Sequence, residues 1–321
     1  LENMLETRGS GFASFVTDHG LGPLWHERTE RAEFRASRLA AEALYAAQEQ
    51  ALVEIDTLLE GAGVDYAFFK GAANRLLLYD NPAVRACYDI DILVKKGDRV
   101  RAAESLVNIG FTPRPMKDAV GSELELTRRD ADVDLHWGLL REGRLRNDMT
   151  EPMLERRRQL HGVWMLSASD TLFTLLVHPA FRKHLAGYGM GLHRIADLLE
   201  WLRGGQYDWP FVRELLAENG VMAAAWATLR WTELLSDLHA PPVLREMLSD
   251  LQPGRMRRSW IDYWLRHNLP EATSNARWTR LLGFSLFLHD SISDGIRAAA
   301  ARFGAGRKGR EDLAAFSDLV G

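Results

Sequence analysis

The chain has 321 residues, 46% of them hydrophobic and 26% charged, with a net charge of −4 and an isoelectric point near 6.2. That is the composition of a soluble globular protein with room for a large core and more than one domain, and its mild acidity gives no overall pull toward nucleic acid or an anionic membrane. The single cysteine, Cys87, excludes an internal disulfide. No apolar run reaches membrane-spanning length, and the charged stretch Leu1 to Ser10 lacks the apolar centre of a signal peptide, so a cytoplasmic location with no membrane partner is expected.

Residues Glu30 to Glu60 are rich in Ala, Leu, Glu and Arg. Leu39, Ala43, Leu44, Ala47, Leu52, Ile55, Leu58 and Leu59 fall at helical spacing, and Gly61-Ala62-Gly63 ends that helix. Val64 to Phe69 reads as a short apolar strand, followed by Lys70-Gly71. Ala72 to Tyr79 reads as a helix, broken by Asp80-Asn81-Pro82. Asp89 to Val94 is the next strand. Asp98 to Ile109 is an amphipathic helix with Asp98 as its expected N-cap and Gly110 as its stop. Glu123 to Thr127 and Asp132 to Trp137 alternate as strands do, and the polar Arg128 to Ala131 between them predicts a hairpin. From Glu151 onward strand signals vanish. Helical patterns cover Asp170–Lys183, Leu192–Arg203, Trp209–Glu218, Val221–Leu235, Pro242–Ser249, Arg257–His267 and Arg277–Ala301. The expected fold class is α+β: an N-terminal helical segment over 1–62, a small α/β core over 63–150 and a helical C-terminal domain over 151–321. The ten Trp residues read as core and inter-helix packing.

The chemistry concentrates in two strands. In Asp89-Ile90-Asp91-Ile92-Leu93-Val94, side chains alternate, so Ile90, Ile92 and Val94 share one face and Asp89 and Asp91 the other. Val133-Asp134-Leu135-His136-Trp137 repeats the pattern, with Asp134 and His136 together. Carboxylates held side by side repel. With no adjacent basic partner, a cation between them is expected. Three carboxylates converging from two strands, Asp89, Asp91 and Asp134, form a hard-oxygen site suited to Mg²⁺; a solvated strand face is the plainer alternative. Asp132 rivals Asp134 on the same face but lies closer to the turn. His136 either orients Asp134, touches a nucleotide or serves as a structural histidine. Gly71 opens a helix straight after an apolar strand, where backbone N–H groups and the helix dipole favour a phosphate, or where the chain merely needs a tight turn.

Taken in order, Phe69-Lys70-Gly71-Ala72, Arg85 ahead of the Asp-x-Asp strand, and Asp134-Leu135-His136-Trp137 resemble the nucleotidyltransferase superfamily of DNA polymerase β type. They resemble more closely its uncharacterised nucleotidyltransferase family, with Lys-Gly, Asp-x-Asp and Asp-Leu-His-Trp elements. His178, Arg194, Asp197 and Asp208-Trp209 also fit, so the resemblance covers most of the chain. It implies transfer of a nucleoside monophosphate, or another phosphorylated nucleotide part, from an NTP to a hydroxyl or similar group of a small-molecule or peptide acceptor, with ATP the first candidate. It implies Asp89, Asp91 and Asp134 as catalytic residues and Mg²⁺ ligands, with Asp134 also taking the acceptor's proton. It implies Lys70, Gly71, Arg85, His136, Arg194 and Asp197 as nucleotide contacts. The superfamily's usual Ser after the first-turn Gly is Ala72 here, which leaves the phosphate contact to Lys70 and the backbone.

His178, Lys183 and His184 join Arg194 and Asp197 as candidates for the far wall of a cleft. Arg194 and Asp197, three residues apart on a helix, equally suit an ordinary intrahelical ion pair. Arg85 suits a phosphate, or a salt bridge to Asp80 or Asp89. Two rival functions stand beside the transferase. A toxin-like enzyme modifying tRNA draws support from Arg255, Arg257, Arg258 and the basic residues between Arg297 and Arg310. A catalytically inactive nucleotide-binding or scaffold protein draws support from the missing Ser, against which the three intact aspartates speak.

Overall fold

The computed structural model describes residues 11–114, 122–183, 185, 192–236, 239–267, 283–316 and 319, with backbone alone for 182, 183 and 302–313. Its strands are β1 Tyr66–Phe69, β2 Asp89–Val94, β3 Thr112–Pro113, β4 Glu123–Thr127, β5 Asp132–His136, β6 Arg158–Leu160 and β7 Val163–Met165. The helices are α1 Gly22–Thr29, α2 Arg35–Gly61, α3 Lys70–Leu78, α4 Arg99–Asn108, α5 Thr150–Glu155, α6 Ala168–Lys183, α7 His193–Gly204, α8 Trp209–Glu218, α9 Met222–Ser236, α10 Pro242–Asp250, α11 Arg255–His267 and α12 Ile292–Ala315. The architecture is the expected mixture of helix and sheet. Among the described residues no helix is long and apolar enough to cross a membrane.

The strands form one mixed sheet in the order β3-β4-β5-β2-β1-β7-β6. β1 and β2 are antiparallel, β2 and β5 parallel, and β4 and β5 form the predicted hairpin. The expectation that strands end before residue 151 is corrected: β7 pairs in parallel with β1, and β6 folds back on β7. These strands are three residues each, too short for an alternation signal, and β6 is exposed along its length. Two boundaries also shift. Asp98 sits at the N-cap position of α4 but makes no capping bond, pairing instead with Arg101 one turn on. The helix expected over Arg277–Ala301 is described only from Ile292; residues 277–282 lie outside the described residues.

Alternation gives the sheet two different apolar faces. Tyr66, Phe68, Ile90, Ile92, Val94, Val133 and Leu135 pack with Ala51, Leu52, Ile55 and Leu59 of α2 and Ala102, Ala103 and Leu106 of α4. Ala67, Phe69 and Leu93 point the other way and join the core of α6 to α11. Burying an aromatic such as Phe69 contributes about 2–3 kcal/mol. The acidic positions of β2 and β5 interrupt this second face, so they meet the helical wall rather than bulk water.

Candidate active site

The parallel register places Asp91 beside Asp134 and Leu93 beside His136, so period-two alternation puts Asp91, Asp134 and His136 on one face. One donor atom from each of these three lies within 4.8 Å of the other two. Asp89 precedes Asp91 on the same face and lines the same cleft, outside that triad. Asp132, the rival of Asp134, turns away to Arg114 and Thr127.

The acids do have a basic neighbour, contrary to expectation. Lys70 Nζ donates to Asp91 Oδ1 at 2.6 Å and lies 3.0 Å from His136 Nε2, which is itself 2.9 Å from the same oxygen. β1 lies antiparallel to β2 with Phe69 opposite Asp91, so the residue after the strand reaches across. Lys70 adopts a left-handed backbone, φ 55°, which costs a residue with a Cβ about 1 kcal/mol or more. The Phe69 ring backs the arrangement, 4.7 Å from the ammonium and edge-on to His136.

These contacts separate the acids electrostatically. Burial raises the Asp91 carboxyl, but the Lys70 charge and the His136 hydrogen bond outweigh it and hold the group well below the ordinary range. Asp89 is raised by burial and by Asp91. Asp134 is pushed up to about 7 by burial first, then by Asp91 and Asp89. His136 is lowered by burial and by Lys70, so its contact with Asp91 is a hydrogen bond of a neutral imidazole rather than an ion pair. Crowded carboxylates that cannot all ionise, next to a neutral imidazole, suit a divalent cation.

The cleft holds about 300 Å³. Lys70, Gly71, Arg85, Asp89, Asp91, Asp134, Arg194 and Asp197 line it, while His136 stands buried behind Asp91. The helical wall comes from α6 and α7. The Ser167 hydroxyl accepts from the Asp170 backbone N–H and donates to the Asp170 carboxylate, a side-chain cap at the start of α6. One face of α6 then brings Thr171, Thr174, Leu175, His178 and Pro179 to the cleft. Of the other wall candidates, the side chain of Lys183 and all of His184 lie outside the described residues.

The Arg194–Asp197 pair anticipated within one helix does not form. Asp197 accepts a bidentate pair from Arg85, whose Nη2 lies 2.8 Å from Oδ2, and further bonds from Asn74 Nδ2 and Tyr79 Oη. Arg85 therefore bridges to neither Asp80 nor Asp89. Both partners are buried. Arg194, freed of Asp197, is lowered by burial and by Arg85, feels Asp91 and Asp89 in the opposite sense, and leaves its Nη1 buried without a hydrogen-bond partner.

Gly71 is required by packing. A Cβ there would lie 2.7 Å from Cys87 Sγ and 3.2 Å from Arg85 Nη1. Ala72, in place of the superfamily's Ser, is fully buried in the core behind the sheet. Sequence reasoning missed Asn74, Thr171, Glu123 and Tyr88 as cleft residues. Glu123 had a signal in the hairpin register, opposite His136; Asn74 had one as a polar residue one turn after Lys70, following Ala72 and Ala73.

The family described as uncharacterised nucleotidyltransferase matches residues 16–237, more than half of the chain. The chain belongs to this family. Membership makes nucleotide transfer its class of chemistry and a nucleotide its substrate. The matched span takes in the sheet, the cleft and both walls. No curated protein matches the chain.

Proposed function

We propose that this nucleotidyltransferase moves a nucleoside monophosphate from an NTP to a hydroxyl or similar group of a small-molecule or peptide acceptor, with Mg²⁺. The observation that carries this reading is the Asp91–Asp134–His136 cluster facing Lys70 and Arg194 in one cleft. Asp91 and Asp134, with Asp89 beside them, would hold the metal, and neutral His136 offers a further donor. A bound divalent cation there supplies charge neutralisation for the triphosphate and the departing pyrophosphate.

The chain's own residues account for the remainder. Lys70 and Arg194 bring positive charge to the phosphates from opposite walls. Phe69, Leu166 and Leu175 add apolar surface to the same cleft. The acceptor oxygen attacks the α-phosphorus and the bond to pyrophosphate breaks. Asp134, which lines the cleft beside Asp91, takes the acceptor's proton as general base. Arg85 and Asp197 act one layer back, clamping α7 against the turn before β2 so that Arg194 and Asp89 keep their separation.

Calorimetric titration with each NTP, in Mg²⁺ and then in EDTA, tests the reading. Binding that needs both the metal and the acids, and is lost in Asp89→Ala/Asp91→Ala, supports it. Binding indifferent to both would sink it in favour of an inactive scaffold.

A further inference from the structure

Two side chains of the cleft lining carry polar atoms that the fold leaves without partners. Asn74 and Thr171 are 1% and 3% exposed, and both line the cleft. Asn74 Oδ1 and Thr171 Oγ1 are buried with no hydrogen-bond partner. Such atoms have given up their bonds to water without replacement, and most buried polar groups in folded proteins are satisfied. The Asn74 amide cannot turn to relieve the cost. Its Nδ2 is committed to the Asp197 carboxylate at 3.2 Å, and Asp197 is held ionised by Arg85 against its burial. Oδ1 is therefore fixed as an acceptor, and its missing partner must be a donor. The Thr171 hydroxyl is free to donate.

Position decides what that partner is. Asn74 lies one helical turn beyond Lys70 on α3, and its anchor Asp197 lies nearly one turn beyond Arg194 on α7. A nucleotide with its phosphates at Lys70 and Arg194 thus has Asn74, one turn on, and Thr171 in the same cleft. Leu166 and Leu175 supply apolar surface in the same lining. An acceptor hydroxyl must instead reach Asp134.

We infer that Asn74 and Thr171 form a nucleobase subsite that reads an exocyclic amino group beside a ring nitrogen, the edge that adenine and cytosine present and that guanine, hypoxanthine and uracil reverse. The amino N–H donates to Asn74 Oδ1, and Thr171 Oγ1 donates to the ring nitrogen. A 6-oxo base sets a carbonyl against Asn74 Oδ1, leaving two buried acceptors face to face, and polar sites of this kind reject the wrong analogue strongly. The inference rests on the transferase reading above.

Inosine triphosphate differs from ATP only at that edge and serves as the probe, with both nucleotides titrated into the full chain in Mg²⁺. ATP should bind at least tenfold more tightly than inosine triphosphate. Thr171→Val, nearly isosteric and without contact to Asp197, should weaken ATP and cut the ratio to threefold or less. Asn74→Ala provides a second variant, its folding checked by thermal unfolding, and should abolish the ratio by improving inosine triphosphate relative to ATP. Equal affinities in the unaltered protein, or a ratio that survives Thr171→Val, overturn the subsite while leaving the transferase standing. If neither nucleotide binds, the transferase reading itself falls, and the subsite with it.

Discussion

Lys70 occupies the place beside Asp91 and His136 that a cation would take, and does so from a left-handed backbone. Metal and ammonium therefore compete for the same oxygen. Lys70→Met should bind Mn²⁺ about tenfold more tightly without nucleotide, a change of about 1.4 kcal/mol, and bind NTP more weakly. Electron paramagnetic resonance reads the first and calorimetry the second; unchanged Mn²⁺ binding would show that the ammonium is no competitor. Asp134 has the opposite character. Its folded value of about 7 lies above the ordinary 3.8, so between those limits the folded state keeps a proton the unfolded state has released. That contribution is present at acid pH and is lost as the pH rises toward 7. Asp134→Asn should leave the metal-free protein increasingly more stable than the unaltered one between about pH 5 and 8, by about 2–4 °C in melting temperature at the upper end. The same variant should lower transfer about a thousandfold. A melting difference independent of pH would refute the raised carboxyl.

At the scale of elements, the contact between α3, α7 and the turn before β2 hangs on Asp197. Arg85, Asn74 and Tyr79 all bond to its carboxylate. Removing one partner of a buried pair leaves the other charge uncompensated, so Asp197→Ala should cost about 3–5 kcal/mol. The double variant Arg85→Met/Asp197→Leu should recover much of that loss, because neither charge remains. Urea denaturation measures both, and a single-variant loss below about 1 kcal/mol would mean that Arg85 finds another partner. The Ser167 cap on the Asp170 N–H serves the other wall, since α6 carries Thr171 and His178 to the cleft from one face.

At the scale of the whole molecule, the sheet is shared property. β7, far along the chain, covers the edge of β1, and Ala67, Phe69 and Leu93 join a core supplied mostly by helices beyond residue 149. Residues 63–150 alone would expose that face and an unpaired β1 edge, a template for aggregation. Circular dichroism and size-exclusion chromatography of this fragment should find it unfolded or aggregated, and a monomeric fragment with native strand content would contradict the dependence. Basic residues offered for an RNA partner are partly spent within the fold: Arg297 pairs with Asp294, and Arg257 donates to the Asp290 carbonyl.

The sequence by itself determined whatever follows from local periodicity. The two acidic strands, the hairpin, the long helix ending at Gly61 and most C-terminal helices all repeat every two or 3.6 residues, and that repetition is written in neighbouring positions. The shared face of Asp91, Asp134 and His136 was legible for the same reason, once the strands were placed. Only the tertiary structure decided which charges meet. Lys70 lies far from His136 in sequence, and Asp197 is more distant still from Arg85, yet both pairs touch, because β1 lies against β2 and α7 against α3. Helical spacing favoured Asp197 with Arg194, a solvent-exposed kind of pairing worth little; burial made the bidentate Arg85 the stronger partner. The short strands β6 and β7 were invisible for a related reason: three residues carry no period, and only the open edge of β1 makes them strands.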